Sequence, residues 1–211
     1  MARSPNVEKQ FIAGPAGRLE AVYELPPVDE LAGAVVVCHP HPQHGGTLHN
    51  KVAHTLARSF VRLGFAALRF NFRGTESSEG RFDNGVGELD DALAAISWLR
   101  EKHPGMTLWL AGFSFGAAIA VRAAARQDVD GLISVAPAVA RFGAGLERQP
   151  LCPWLVVQGD EDELVSVDEI VDWLNVLDPG PELLVMTGAE HFFHGRLVDL
   201  REAVREFVQR Q

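Results

Sequence analysis

The sequence predicts an α/β fold: a mostly parallel central sheet with helices on both faces. Three observations carry that prediction. Short apolar runs alternate with amphipathic stretches along the chain. Several runs, "GAVVVCH" and "PWLVVQG" among them, are apolar at successive positions, as strands buried on both faces must be. Segments of unusual composition follow four of the runs: "CHPHPQHGG", "GFSFG", "QGDEDELV" and "GAEHFFHG". In such a sheet, function collects beyond the carboxyl ends of the strands.

Each element has a local reason. "VEKQFIAG" and "RLEAVYEL", separated by "PAG", read as an antiparallel pair. A valine-rich strand over 33–39 precedes a helix over 51–63, whose Val52, Leu56, Phe60 and Leu63 share one face. Residues 65–71 form the next strand. The helix "GELDDALAAISWLREKH" starts near Gly87, repeats Leu89, Leu93, Ile96 and Leu99, and stops at Pro104-Gly105. "MTLWLAGF" is a strand, followed by a helix over 115–126. "GLISVAP" and "PWLVVQG" are strands, "VDEIVDWLNVL" a helix, "ELLVMTG" a strand, and 195–209 a closing helix.

Composition bounds the function. A chain of 211 residues, 47% apolar, is long enough for one domain with a proper core, so 1–211 is read as a single domain. The formal charge of -9 and the lack of a basic run argue against nucleic acid or an anionic membrane as partner. Two cysteines, no apolar run near the start and no stretch approaching ~20 apolar residues predict a cytoplasmic protein with reduced thiols. Cys38 reads as a small buried hydrophobe. A homodimer through an exposed helix face is left open.

Ser114 sits in "GFSFG", after a strand and before a helix of small residues. That context fits a serine held on a sharp strand-to-helix turn, its hydroxyl raised above the sheet and flanking glycines admitting the crossing chain. A serine that merely caps the helix would account for one glycine but not both. A serine hydroxyl needs a base, usually a histidine oriented by a carboxylate. Two histidines lie downstream, His191 and His194. His191 directly follows "TGAE", where a short loop can aim it at the sheet edge, and is the preferred base. "QGDEDELV" offers Asp160, Glu161, Asp162 and Glu163 as the acid.

At this point the chain resembles the α/β-hydrolase family, whose acid commonly lies in a Gly-x-x-Asp-x-x-Val pattern. Gly159, Asp162 and Val165 fit that register, which selects Asp162, with Asp160 second. The strand followed by "RGTESS" extends the resemblance, with Glu76 in place of the family's second glycine. Arg73 there reads first as a structural ion pair and second as a substrate contact. "HPHP…GG", "NFRG" and "GFSFG" look most like small lidless serine hydrolases of the dienelactone-hydrolase-like, bacterial carboxylesterase type. Dienelactone hydrolases proper use a cysteine nucleophile, which this chain replaces by Ser114.

The resemblance implies an acyl-transfer site whose oxyanion is held by two N–H groups, one from Phe115 and one from the loop after an early strand. By register the second donor is His41, with Gln43 and His44 as alternatives. The family's His-Gly is here His39-Pro40. Five histidines, His39, His41, His44, His49 and His54, also raise a metal reading. The prolines between them, the lack of an acidic partner and the complete serine chemistry argue against it, so no metal and no cofactor are expected. Only "AVARFGAGLERQPLC" separates two strands where many relatives insert a lid. The expected site is open and suits small acyl esters, short-chain or exposed, with thioesters and peptides behind; Phe113, Phe142, Phe192 and Phe193 are candidates for the acyl pocket. A non-catalytic binding protein on the same fold is the other class.

Overall fold

The computed structural model describes residues 4–142 and 148–211. Eight strands form one sheet: β1 (Asn6–Gly14), β2 (Gly17–Leu25), β3 (Gly33–Cys38), β4 (Phe65–Phe70), β5 (Leu108–Phe113), β6 (Gly131–Val135), β7 (Trp154–Gly159) and β8 (Glu182–Met186). Their spatial order is β1-β2-β4-β3-β5-β6-β7-β8. The β1–β2 hairpin is antiparallel, with Gly14 opposite Gly17, and β2 joins β4 antiparallel. All pairings from β4 through β8 are parallel.

The helices are α1 (Lys51–Arg62), α2 (Val86–Lys102), α3 (Phe115–Ala124), the single turn α4 (Val139–Phe142), α5 (Val167–Leu174) and α6 (Leu197–Gln209). From β3 the chain steps to β4, then crosses back over β3 to β5. Right-handed crossovers therefore send α1 to one face and α2 to the other. The core confirms it. Val52, Leu56 and Phe60 of α1 and Leu200 and Val204 of α6 share one apolar cluster with Val35, Val37 and Phe113. Leu89 and Ile96 of α2, Ile119 of α3 and Ile170 of α5 share the other with Val36, Leu110 and Phe115. Because β3 is the switch point, the loops after β3 and β5 leave adjacent strands at one edge of the sheet.

The five central strands β3 to β7 are buried throughout. The edges differ from the fully apolar reading: β1 exposes Val7 and Phe11, and β8 exposes Val185. Edge strands meet solvent on at least one side, and Phe11 is shielded by the Arg18 guanidinium 4.7 Å above its ring. The closing helix starts at Leu197 rather than 195, because Phe193, at φ 55°, and Gly195, at φ 72°, hold a turn before it. Helix α5 ends at Leu174, where the Leu177 N–H closes a tight turn onto the Leu174 carbonyl. The segment between β6 and β7, read as too short for a lid, contributes α4; its residues 143–147 lie outside those described. Among the described residues no helix is long and apolar enough to cross a membrane.

Candidate active site

The turn at Ser114 is built by exclusion. A Cβ on Gly112 would lie 2.4 Å from the Gly116 carbonyl oxygen, and one on Gly116 would lie 2.3 Å from the His39 carbonyl oxygen. Both glycines are thus required for the end of β5, the start of α3 and the end of β3 to touch through backbone alone. The flanking aromatics point into opposite cores, Phe113 toward α1 and α6 and Phe115 toward α2 and α3. Between them Ser114 takes φ 54° and ψ -117°, a conformation costing roughly 1–3 kcal/mol that the surroundings must enforce. The capping alternative fails, because the Ser114 side chain makes no cap hydrogen bond to α3. Its Oγ lies 3.0 Å from His191 Nε2 instead.

His191 is 2% exposed. Its Nδ1 lies 2.8 Å from Asp162 Oδ2, so the neutral ring donates to the carboxylate through Nδ1–H and accepts the Ser114 hydroxyl at Nε2. The rings of Phe113 and Phe192 flank the imidazole at 5.0 and 5.1 Å. Asp162 Oδ1 accepts the N–H groups of Leu164 at 2.9 Å and Val165 at 2.8 Å. Burial alone would raise the Asp162 carboxyl. The hydrogen bond from His191 and those from the Val165 and Leu164 backbone outweigh it and hold the group below the ordinary aspartate range.

The neighbouring candidates have other work. Asp160 accepts the Gly188 N–H at 2.6 Å, tying the turn after β8 to the end of β7. Gly159 permits that approach, since a Cβ there would lie 2.1 Å from the Ala189 carbonyl oxygen. His194 is largely exposed and pairs with Glu190 at 2.7 Å.

The histidine-rich loop is held from both ends. His39 is fully buried; its Nε2 accepts the Phe72 N–H at 3.0 Å and its Nδ1–H donates to the Pro40 carbonyl at 2.6 Å. Burial pushes its pKa down to about 3. His41 Nδ1 accepts the Gln43 N–H at 3.2 Å, and burial, then His44 and Arg141, push its pKa down to about 4. The His41 carbonyl accepts the N–H groups of His44 and Gly46. Gln43 and His44, the alternative donors, therefore spend their N–H groups inside the turn. The N–H groups of His41 and Phe115 enter no hydrogen bond among the described residues. Sequence reasoning missed this use of the imidazoles as backbone acceptors. Among the described residues no group of three His, Cys, Asp or Glu side chains is placed to hold a metal ion.

Beside Ser114 opens a cleft of about 270 Å³, lined by His41, Phe115, Phe142, Leu164 and Val165 among others. Of the four aromatic candidates for an acyl pocket, Phe142 alone lines it. Phe113 and Phe193 are fully buried core, and Phe192 is 41% exposed and lines a different cleft, with Gly45, His49 and His194. Arg73 forms the structural ion pair that its sequence reading put first. It donates to both oxygens of Asp91, at 2.7 Å from Nη2 to Oδ1, and the Asp91 side chain is 0% exposed. Both cysteines are free, and burial raises both thiols, Cys152 to about 11.

Comparison with known proteins places this arrangement. The model of the family described as serine aminopeptidase, S33 matches residues 29–148. An uncharacterised protein of Rickettsia prowazekii is 33% identical over 208 residues, covering 94% of this chain and 87% of its own length. An α/β serine hydrolase homologue from Coxiella burnetii is 46% identical, with a TM-score of 0.90 over 94% of this chain and 96% of its own. An α/β serine hydrolase without a lid from Xanthomonas campestris is 41% identical, with a TM-score of 0.91 over 100% of this chain and 97% of its own. The chain belongs to the α/β-hydrolase superfamily as a serine hydrolase, within the family described as serine aminopeptidase, S33.

Proposed function

We propose that this protein hydrolyses carboxylic esters with short or exposed acyl groups, through an acyl-enzyme on Ser114. The observation that carries the reading is the unbroken hydrogen-bonded line from Ser114 Oγ through His191, at 3.0 Å, to Asp162 Oδ2, at 2.8 Å. Ser114 attacks the ester carbonyl as His191 Nε2 takes the hydroxyl proton. Asp162 keeps the ring in the tautomer whose Nε2 is free to accept, and stabilises the imidazolium that forms. The Phe115 and His41 N–H groups receive the oxyanion. Collapse of the tetrahedral intermediate breaks the bond to the alkoxide, which takes the proton from His191. Water, deprotonated by the same imidazole, then releases the acid and restores Ser114. The chemistry requires no metal or cofactor.

The cleft supports esters over peptides. At about 270 Å³ and lined by Phe142, Leu164 and Val165, it grips little of a substrate. Little binding energy is then left to drive the expulsion of a poor amine leaving group. The description of the matched family favours a second reading, aminoacyl amides. The test is a panel of acyl esters, thioesters and aminoacyl anilides of graded length, run on wild type and Ser114→Ala, with fluorophosphonate labelling. Turnover of short esters, lost by at least about 10⁴-fold in Ser114→Ala, is the expected result. Anilide turnover exceeding ester turnover would select the second reading. No label on Ser114 and no turnover would leave a binding protein.

A further inference from the structure

We propose that Gln158 is the positioning residue for the acid: its side-chain amide holds the Asp162 carboxylate in the orientation that receives the His191 Nδ1–H. The inference rests on the proposed roles of Ser114, His191 and Asp162. Gln158 sits next to last in β7, after Leu155, Val156 and Val157, and is fully buried. Its Nε2 has two hydrogens. One meets Asp162 Oδ2 at 3.0 Å, the same oxygen that accepts from His191; the other meets the Val165 carbonyl at 2.8 Å, with the Gly159 carbonyl more distant at 3.3 Å. The amide thus spans the acid loop, joining its carboxylate to the residue that lines the cleft.

Packing alone gives no reason for a glutamine here. Its Oε1 is buried without a partner among the described residues. An unsatisfied acceptor of this kind costs about 1–3 kcal/mol, and a methionine of similar length would avoid it. Flipping the amide does not help, because Oε1 would then face the carboxylate and the Val165 carbonyl. The two donors are what the position supplies. Each Asp162 oxygen accepts two hydrogen bonds: Leu164 and Val165 on Oδ1, His191 and Gln158 on Oδ2. Without Gln158 the carboxylate turns more freely, and Oδ2 keeps more charge for the imidazolium. A further charged group near the pair is Glu163, whose Oε2 lies 3.5 Å from the His191 backbone nitrogen.

The test compares wild type with Gln158→Met, which keeps length without donors, and Gln158→Glu, which keeps shape and can donate one shared proton to Asp162. For each, kcat, KM, the acid limb of kcat/KM against pH, the rate of fluorophosphonate labelling and the melting temperature are measured. In Gln158→Met we expect kcat to fall roughly 10- to 100-fold with KM within about twofold, and labelling to slow in proportion. The acid limb should move to higher pH in Gln158→Met, because a freer carboxylate charge favours protonated His191, and stay near wild type in Gln158→Glu, whose carboxyl shares one proton with Asp162 and so still donates to it. A folded Gln158→Met with unchanged kcat and acid limb would overturn the proposal. So would a loss of activity tracking only the melting temperature, or failure of both variants to fold, which would make Gln158 purely structural. If wild type is labelled at Ser114 and Gln158→Met matches it, only this inference fails. If wild type is not labelled, the reading beneath it fails too.

Discussion

Gly116→Ala tests whether the nucleophile turn is set by backbone contact between α3 and the end of β3. The added Cβ would lie 2.3 Å from the His39 carbonyl oxygen, 2.4 Å from the Cys38 carbonyl oxygen and 2.6 Å from the Cys38 carbonyl carbon. All three are backbone atoms, so no side chain can swing aside. Ordinary contact begins at 3.4 Å, so the two backbones must part by roughly 1 Å. The Phe115 N–H lies on one side of that wedge and the His41 N–H on the other. Spreading them weakens oxyanion binding, and loss of one donor costs about 10²–10³ in kcat. Overpacking of this kind costs about 1–3 kcal/mol of stability, or roughly 2–12 °C in melting temperature for a chain of this size. Steady-state kinetics on a short ester and a thermal melt give both numbers. Gly105→Ala is the control for a glycine replaced without a clash: its Cβ meets nothing within 4 Å, and its only penalty is its own positive φ of 71°, which Gly116 does not share. It should lose about 1 kcal/mol and no kcat. A Gly116→Ala enzyme with kcat within twofold of wild type would refute the reasoning.

The remaining predictions concern charge. Asp91→Ala leaves the Arg73 guanidinium, 11% exposed, without its partner and should destabilise the fold by about 3–5 kcal/mol while the folded fraction keeps its kcat; a selective rise in KM would return Arg73 to the site. His39, lowered from 6.5 to about 3, contributes stability that is complete above pH 6.5 and lost as pH falls toward 3, since the unfolded chain binds a proton the folded chain refuses. Urea unfolding between pH 7 and 5 should show His39→Gln less pH-dependent than wild type by about 1.4 kcal/mol per pH unit well below pH 6.5; equal slopes would refute the buried neutral ring.

The sequence revealed whatever depends on period and register. Apolar runs gave the strands, because β3 to β7 are buried on both faces and leave no alternation to blur the signal. Ser114 was legible because both glycines are forced by backbone contact. Asp162 was selected by resemblance to the Gly-x-x-Asp-x-x-Val pattern of α/β-hydrolases, and Gly159 and Val165, which fit that pattern, shape its loop. What stayed hidden depends on direction. Phe113 and Phe193 are as aromatic as Phe142, and only the fold shows that two of them face the core and one the cleft. Gln158 stands out as polar in an apolar run, but nothing in the chain says that its amide reaches four residues ahead. Five clustered histidines raised a metal reading because composition cannot show that two of them, His39 buried and His41 half-buried, accept backbone hydrogens.

Those two imidazoles also account for Pro40, which replaces the expected glycine, and for Pro42 after it. A glycine-rich loop reaches its shape through backbone freedom and must then be held there. In this chain Pro40 and Pro42 remove much of that freedom in advance, and His39 and His41 supply the holding bonds from side chains. Gly46 completes the fold-back, since a Cβ there would lie 2.1 Å from the Pro40 carbonyl oxygen. The arrangement requires neutral rings. A protonated His39 would present an N–H to the Phe72 N–H, setting donor against donor at a fully buried position. Burial meets that requirement by pushing both rings far below neutral pH. The loop that positions the His41 N–H is therefore held by the same desolvation that makes His39 and His41 weak bases, which is consistent with the role proposed for His191.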